Sequence, residues 1–226
     1  KHNIKEEIYY SPFKYHDQVK LFVYRNSIEV NDHQFLNTIG SQIEQIAMEL
    51  KRRMLVLCTS YKQAHTLKMF LQPKFKNTRR KLFVQSPGTS RNVLVREYLE
   101  NSQSILIGTA SFWEGVDFPG DKVEILYIVK TPFSNPFDPL VQAQIEDYKQ
   151  RGDDAFTNFQ VPEAAMRFRQ GFGRLIRNMD DTGICVVADT RLYKRRYGKT
   201  ILGSLPVDPI PYQQVGTLIS ESRKFF

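Results

Sequence analysis

The run Met54-Leu55-Val56-Leu57-Cys58-Thr59 is the strongest indication of the fold, because it is apolar at every position before Thr59. A half-buried strand would alternate apolar and polar residues, whereas an unbroken apolar run of this length is typical of a strand covered on both faces. Residues 61–71 follow with helical spacing, and Pro73 is expected to close that helix. Together the two segments predict one strand–helix unit of an α/β sheet.

The same alternation extends along the chain in both directions. Further strands are predicted at 19–24, 82–84, 104–108, 123–129 and 183–188, and helices at 33–53, 92–99, 142–150, 163–176 and 192–202. We expect an α/β fold with a mostly parallel sheet and helices on both faces, which binds ligands beyond the strand C-termini, at 59–61, 108–120, 130–138 and 189–191. The expected organisation is a lead-in segment with an edge strand at 1–32, one domain at 33–205, and a tail with a short helix at 206–226.

The composition is that of a globular domain. The 226 residues are 41% hydrophobic, which argues against disorder, and no apolar run approaches the roughly 18 residues that a membrane span needs. Because the chain begins at Lys1 with no apolar leader, we expect a piece of a longer cytoplasmic protein with no membrane partner. Cys58 and Cys185 lie in apolar runs and are expected to be buried free thiols, with no metal site.

The net charge of +8 is distributed unevenly along the chain. Residues 1–100 carry 17 basic and 9 acidic side chains, residues 101–159 carry 4 and 9, and residues 160–200 carry 9 and 4. A basic domain with an acidic middle suits a polyanion held on particular faces. Many basic domains never bind nucleic acid, so the charge alone does not identify the partner.

One chemistry-bearing segment directly follows a predicted strand: Gly108-Thr109-Ala110-Ser111-Phe112-Trp113-Glu114-Gly115-Val116-Asp117-Phe118-Pro119-Gly120. Its glycines permit tight turns and close backbone approach. Thr109 and Ser111 can donate hydrogen bonds to phosphate oxygens, while Glu114 and Asp117 offer carboxylates to a metal, a ribose hydroxyl or an arginine. The alternative is an ordinary solvent loop, which an exposed Trp113 and two acids between glycines make less attractive.

A second segment, Gln170-Gly171-Phe172-Gly173-Arg174-Leu175-Ile176-Arg177, falls within a predicted helix. On that helix Gln170, Arg174 and Arg177 would share one face at i, i+4 and i+7. Arginine binds phosphate oxygens with a planar fork that keeps its charge. Two glycines cost a helix roughly 1 kcal/mol each relative to alanine, so a packing requirement is expected to keep them. A solvated basic face would explain neither the glycines nor the glutamine.

A third segment brings Thr59 and Ser60 to the end of the strand predicted at 54–59, at the start of the next helix. This is a ready phosphate site, although serine and threonine are also ordinary helix caps. The chain contains no G-x-x-x-x-G-K-[ST] sequence and no strand that ends in paired acids. Any nucleotide that this domain contacts must therefore be held mainly by something else.

These three segments, in this order and spacing, closely resemble motifs IV, V and VI of superfamily 2 helicases. The Glu114-Gly115-Val116-Asp117 form of motif V, with Ser11-Pro12-Phe13 upstream and Thr131-Pro132-Phe133 downstream, resembles the DinG/XPD branch. The resemblance covers about residues 8–205. It implies that residues 33–205 form the second of two RecA-like motor domains of an ATP-dependent DNA helicase.

The resemblance also implies roles for individual residues. ATP and Mg²⁺ would be held mainly by a first RecA-like domain, while Arg174 and Arg177 would be arginine fingers on the γ-phosphoryl group. Gln170, Glu114, Gly115 and Asp117 would contact the nucleotide or brace the arginines. The residues expected to contact single-stranded DNA, through phosphates or by stacking, are Thr59, Ser60, Thr109, Ser111 and Trp113. The cysteine quartet of the iron–sulfur cluster that many members carry is absent from this segment.

Two other functions remain open at this point. Some relatives carry a nuclease domain, so the chain could be the motor-like half of an ATP-regulated DNA exonuclease. It could also be a non-catalytic nucleic-acid-binding module that retains the fold. The family implies 5′→3′ translocation and a role in DNA repair, whereas the residues themselves specify neither.

Overall fold

The computed structural model describes residues 11–113 and 123–226. In these residues a fully parallel, seven-stranded sheet forms the centre of the molecule, with strand order β3-β4-β2-β5-β6-β1-β7. The strands are β1 (Val19–Tyr24), β2 (Met54–Leu57), β3 (Leu82–Val84), β4 (Ile105–Gly108), β5 (Ile125–Ile128), β6 (Gly183–Val187) and β7 (Pro209–Tyr212). The predicted α/β class and parallel sheet are confirmed, and so is every predicted strand.

Helices cover both faces of this sheet. They are α1 (Tyr15–Gln18), α2 (Phe35–Leu50), α3 (Tyr61–Phe75), α4 (Arg91–Leu99), α5 (Ala110–Trp113), α6 (Pro139–Gln150), α7 (Val161–Phe172), α8 (Arg191–Lys194), α9 (Tyr197–Leu202) and α10 (Val215–Phe225). A π-helix, Phe156–Gln160, directly precedes α7. None of the helices in the described residues has the length and apolar character that a membrane crossing requires.

The core consists of two apolar layers, one on each face of the sheet. Side chains of α2, α3 and α10 pack on one face, and side chains of α4, α5, α7 and α9 pack on the other. Successive strand residues point to opposite faces, so β2 contributes Met54 and Val56 to the first layer and Leu55 and Leu57 to the second. This is why the interior strands are apolar at nearly every position, with Lys20 of β1 as an exception.

The C-terminal tail is part of the sheet, which corrects the predicted edge strand. Because β7 pairs with β1 in register Leu21↔Pro209, β1 is interior and β7 occupies the edge. Tyr212 of β7 is buried and donates a hydrogen bond to Gln42 of α2 over 2.8 Å. The predicted short helix is α10, and it buries Leu218 and Ile219 against the same layer.

The helices predicted at 61–71 and 192–202 have wrong boundaries for identifiable reasons. Helix α3 continues through Pro73 to Phe75, because Leu71 and Phe75 lie one turn apart and both enter the core. The single helix predicted at 192–202 is broken into α8 and α9 by an extended Arg195. At the break, a Cβ on Gly198 would lie 1.9 Å from the Leu192 carbonyl oxygen, so the turn requires glycine.

Candidate functional site

A close contact between α5 and α7 organises the candidate site. The Trp113 indole is 2% exposed, and its Nε1 donates a hydrogen bond to the Cys58 carbonyl oxygen over 3.1 Å. A Cβ placed on Gly171 would lie 2.7 Å from that ring, so α7 can approach α5 because residue 171 is glycine. The predicted packing requirement is confirmed for Gly171. It is wrong for Gly173, where a Cβ would meet no atom closer than 3.5 Å.

Trp113 was expected to be exposed, and that expectation is wrong. Its ring fills the space between the end of β2 and α7, and a buried indole of this kind offers no face on which a base could stack. The sequence could not show this, because a tryptophan between polar and glycine residues has the appearance of a surface residue. Trp113 therefore supports the site by packing.

The shared helical face predicted for Gln170, Arg174 and Arg177 is also wrong. Helix α7 ends at Phe172, and the chain then turns through hydrogen bonds from Arg174 N to the Gly171 carbonyl and from Leu175 N to the Phe172 carbonyl. Gln170 is exposed in the last turn of α7, whereas Arg174 and Arg177 are partly exposed in the segment that follows. We call residues 173–182, which lead into β6, the arginine loop.

The arginine loop contacts the motif V segment through Arg174. Its Nη2 donates a hydrogen bond to the Trp113 carbonyl oxygen over 3.2 Å. Trp113 immediately precedes Glu114 in the sequence, so the Arg174 guanidinium contacts the motif V segment directly before its first acidic residue. Glu114, Gly115 and Asp117 themselves lie outside the described residues.

Arg177 is fixed through its backbone. The Asp181 Oδ2 atom accepts hydrogen bonds from Arg177 N and Asn178 N, each 2.8 Å long. This contact folds the arginine loop back on itself before the chain enters β6. Sequence reasoning missed Asp181, although an aspartate between a predicted helix and a predicted strand is a common turn residue.

We call the C-terminal ends of β2, β4 and β5 the carboxyl edge of the sheet. The hydroxyl groups that were predicted to contact phosphates lie together at this edge. Thr59 and Ser60 follow β2 and bond to Gln63: the Thr59 amide and Oγ1 donate to Gln63 Oε1, and Ser60 Oγ accepts from Gln63 N. Ser60 is thus the N-cap of α3, which was the alternative to a phosphate-binding role for this residue.

Thr109 and Ser111, after β4, are organised by Gln85. The Gln85 Oε1 atom accepts hydrogen bonds from Thr109 N and Thr109 Oγ1, and its Nε2 donates to Ser111 Oγ; all three are 2.8 Å long. Gln85 is 7% exposed and follows β3 directly. Sequence reasoning missed it, because one glutamine after a three-residue strand carries no pattern.

A cavity of about 170 Å³ opens at the same carboxyl edge. Its lining residues come from the ends of three strands and from α7: Thr59, Ala110, Trp113, Pro132, Phe133 and Arg167. Arg167 donates hydrogen bonds to Ser134 Oγ over 2.8 Å and to Glu163 Oε1 over 2.9 Å. Arg167 was not predicted, although residues 132 and 133 fall within the predicted ligand loop 130–138.

The loops after β5 and β6 form a charged cluster at this edge. Asp189 is fully buried and accepts hydrogen bonds from Thr131 N over 2.8 Å and from Arg191 Nη2 over 2.7 Å. Burial raises the pKa of the Asp189 carboxyl, but its bonds to Arg191 and Thr131 outweigh burial and hold the pKa below its ordinary value. Burial, together with the charge of Arg191, lowers the pKa of Lys130.

Among residues 11–113 and 123–226, no three His, Cys, Asp or Glu side chains are grouped so that they could hold a metal ion. Both cysteines are buried and free, and burial raises their pKa, so neither is a ready thiolate ligand. The described residues fit a different task. Two partly exposed guanidinium groups in one loop are suited to the oxygens of a phosphate chain that is held elsewhere.

Comparisons with known proteins agree with this geometry. Residues 43–208 match the family model of the helicase C-terminal domain. The chain is 39% identical over 204 residues to the ATP-dependent DNA helicase YoaA of Haemophilus influenzae, covering 90% of this chain and 31% of that protein. It is 33% identical to the 3′-5′ exonuclease DinG of Bacillus subtilis, covering 88% of this chain and 22% of that one. The chain thus spans a third or less of these relatives.

Solved structures show the same fold at low sequence identity. An XPD helicase superposes with a TM-score of 0.59 at 16% identity, covering 86% of this chain and 36% of that one. The C-terminal domain of the DEAD-box protein Dbp5 superposes with a TM-score of 0.55 at 12% identity, covering 92% and 98%. The chain therefore belongs to the helicase C-terminal domain family and is a RecA-like domain of the DinG/XPD kind.

Proposed function

We propose that this chain is the second motor domain of an ATP-dependent DNA helicase and supplies arginine fingers to a shared ATP site. The observation that carries the proposal is the hydrogen bond from Arg174 to the Trp113 carbonyl. It joins the arginine loop to Trp113 within the motif V segment, so the two motifs that implied the nucleotide site meet at one place. The relatives named ATP-dependent DNA helicases support the same conclusion.

In this proposal Arg174 and Arg177 bind the γ-phosphoryl oxygens and stabilise the charge that they gain during transfer. ATP and Mg²⁺ are held mainly by a first RecA-like domain of the same polypeptide. Glu114, Gly115, Asp117 and Gln170 contact the nucleotide or orient the arginines. Arginine fingers in other NTPases contribute on the order of 10³–10⁵ in rate. Because this chain carries no P-loop, it neither hydrolyses ATP nor unwinds DNA by itself.

Single-stranded DNA is proposed to cross the carboxyl edge of the sheet. Its phosphates would meet the hydroxyls of Thr59, Ser60, Thr109 and Ser111, which are held in place by Gln63 and Gln85. Trp113 would contribute as a buried support beneath this edge. Contacts of this type do not read sequence, so binding should weaken steeply as salt rises.

The test is DNA-stimulated ATP hydrolysis by the full-length protein, wild type beside Arg177→Ala. We expect kcat to fall by about 10³-fold or more, since the finger acts on the transition state. Arg151→Ala is the matched control, because Arg151 is the exposed C-cap residue of α6 and pairs with Asp147 of that helix. Retention of hydrolysis by Arg177→Ala would show that Arg177 is not a finger.

A second candidate is the motor-like half of an ATP-regulated DNA exonuclease. The 33% identity to the Bacillus subtilis protein named as a 3′-5′ exonuclease favours it. Strand separation and nucleotide release, assayed on the same preparations, distinguish the two. ATP hydrolysis with strand separation supports the helicase, whereas hydrolysis with degradation and without separation supports the exonuclease.

A further inference from the structure

Gln18 is a buried polar residue whose side chain reaches the arginine loop. It ends α1, immediately before β1, and is 5% exposed. The register Val19↔Gly183 places the start of β1 beside the start of β6, where the arginine loop ends. Gln18 therefore lies next to a loop that is about 160 residues away in sequence.

The Gln18 amide group bonds to three carbonyl oxygens of that loop. Its Nε2 lies 3.1 Å from Asn178 O, 3.0 Å from Met179 O and 3.0 Å from Asp181 O. The Oε1 atom of Gln18 is buried and has no hydrogen-bond partner among the described residues. Within the described residues, the hydrogen bonds of the Gln18 side chain therefore all go to the arginine loop.

The arginine loop is thus held from two sides. Gln18 binds its carbonyl groups, and the Asp181 carboxylate binds the amides of Arg177 and Asn178. Leu175 and Ile176 of the loop are buried in the core, and Arg174 bonds to the Trp113 carbonyl. Asn178, Met179 and Asp180 are exposed, so Gln18 and Asp181 hold the exposed end of the loop. Asp181 belongs to the loop itself, whereas Gln18 ties the loop to the sheet.

We propose that Gln18 is a positioning residue that holds the arginine loop so that Arg177 reaches the nucleotide. This inference rests on the proposed finger role of Arg177. A transition-state contact tolerates little displacement, and a shift of about 1 Å can cost about 10²-fold in rate. A loop anchored to the first residues of β1 and β6 moves with the rigid sheet, which is what such a contact needs.

The experiment is a double-mutant cycle on the full-length protein, with DNA-stimulated kcat and KM for ATP measured for Gln18→Met, Arg177→Ala and the double variant. Methionine keeps the length of the side chain and removes the donor. We expect Gln18→Met to lower kcat by about tenfold, with KM changed less than about twofold. In the Arg177→Ala background it should cause no further loss. Gln144→Met, on the exposed surface of α6, is the matched control.

The outcomes separate this inference from the proposed function. If Arg177→Ala keeps its kcat, the finger role fails and the positioning role fails with it. If Arg177→Ala collapses kcat but Gln18→Met does not lower it, the finger stands and the positioning role is overturned. Equal losses from Gln18→Met in both backgrounds would also overturn it, because a general structural defect does not depend on Arg177.

Amide hydrogen exchange gives a second readout that does not depend on activity. Gln18→Met should speed exchange in a peptide spanning residues 173–182 while strands β2 and β5 keep their wild-type rates. Faster exchange throughout the sheet, or unchanged exchange in that peptide, would contradict local positioning. If Gln18→Met does not fold, Asp181→Ala releases the other side of the loop and undergoes the same cycle with the same expected non-additivity.

Discussion

The carboxyl edge of the sheet and the arginine loop hold their polar side chains in opposite ways. At the carboxyl edge, side chains are held by side chains, since Gln63 and Gln85 bind the neighbouring hydroxyls. In the arginine loop, side chains hold the backbone, since Gln18 and Asp181 bind carbonyl and amide groups. The first arrangement orients hydroxyls at rigid strand ends. The second holds the backbone of a whole loop, which carries the partly exposed Arg177.

The difference matches the two proposed tasks. Phosphates that move along an edge need several small, oriented hydroxyls, whereas a transition state needs one cation at one position. Loss of a residue at the carboxyl edge should therefore affect stability and DNA binding. Loss of a residue that holds the arginine loop should affect the rate of hydrolysis.

The largest effect on stability is expected from Gln85→Leu. Three hydrogen bonds at about 1 kcal/mol each are lost, and the Thr109 amide is left buried without its partner, for a total of about 3 kcal/mol. Gln63→Leu is the matched control and should cost less, because Gln63 is partly exposed and water can replace it. Chemical denaturation measures both variants; equal losses would mean that Gln85 does not organise this edge.

Gly171→Ala comes next and tests the junction between the two regions. The new methyl group would lie 2.7 Å from the Trp113 ring, so α5 and α7 must separate at a cost of about 1–3 kcal/mol. Gly173→Ala is its control two residues away. There the backbone is helical, with φ of −63°, and the nearest atom is 3.5 Å away, so the same substitution should stabilise by about 0.4–1 kcal/mol. Thermal unfolding would contradict this account if both variants shifted in one direction.

The smallest effect expected is a dependence on pH at the carboxyl edge. The pKa of Asp189 is lowered in the folded protein, so its ionised form stabilises the fold above the unfolded-state value of 3.8. That contribution is lost as pH falls below 3.8 through the folded pKa. The stability difference between wild type and Asp189→Asn should therefore be constant near neutral pH and shrink below pH 3.8. Denaturation at several pH values measures it, and a difference that grows on acidification would reverse the assigned sign.

The fold was predictable because buried strands and helices require apolar residues at regular positions in the sequence. A strand covered on both faces is largely apolar, and this pattern located β1 to β6. Strand β7, at the edge of the sheet, was expected only as part of an extended tail. The hydroxyls at the carboxyl edge were placed correctly for the same reason, since parallel strands all end at one edge. Thr59 and Thr109 follow strands β2 and β4, which are paired.

The predictions that were wrong concern segments whose local structure depends on contacts with residues distant in sequence. Trp113 is buried because α7 covers it, and α7 comes close because residue 171 is glycine. Helix α7 ends at Phe172 although its sequence continues with helical spacing, and the arginine loop that follows is bound by Gln18 and Asp181. Strand β1 is interior because β7 returns from the far end of the chain.

The sequence was enough to locate strands β1 to β6 and to predict a mostly parallel sheet. These follow from burial and spacing, which act over neighbouring residues and recur regularly. The tertiary structure alone decided that Arg174 bonds to the Trp113 carbonyl and that Gln18 holds the arginine loop. Such contacts join residues far apart in sequence, and each depends on a single side chain, so no periodic pattern in the sequence predicts them.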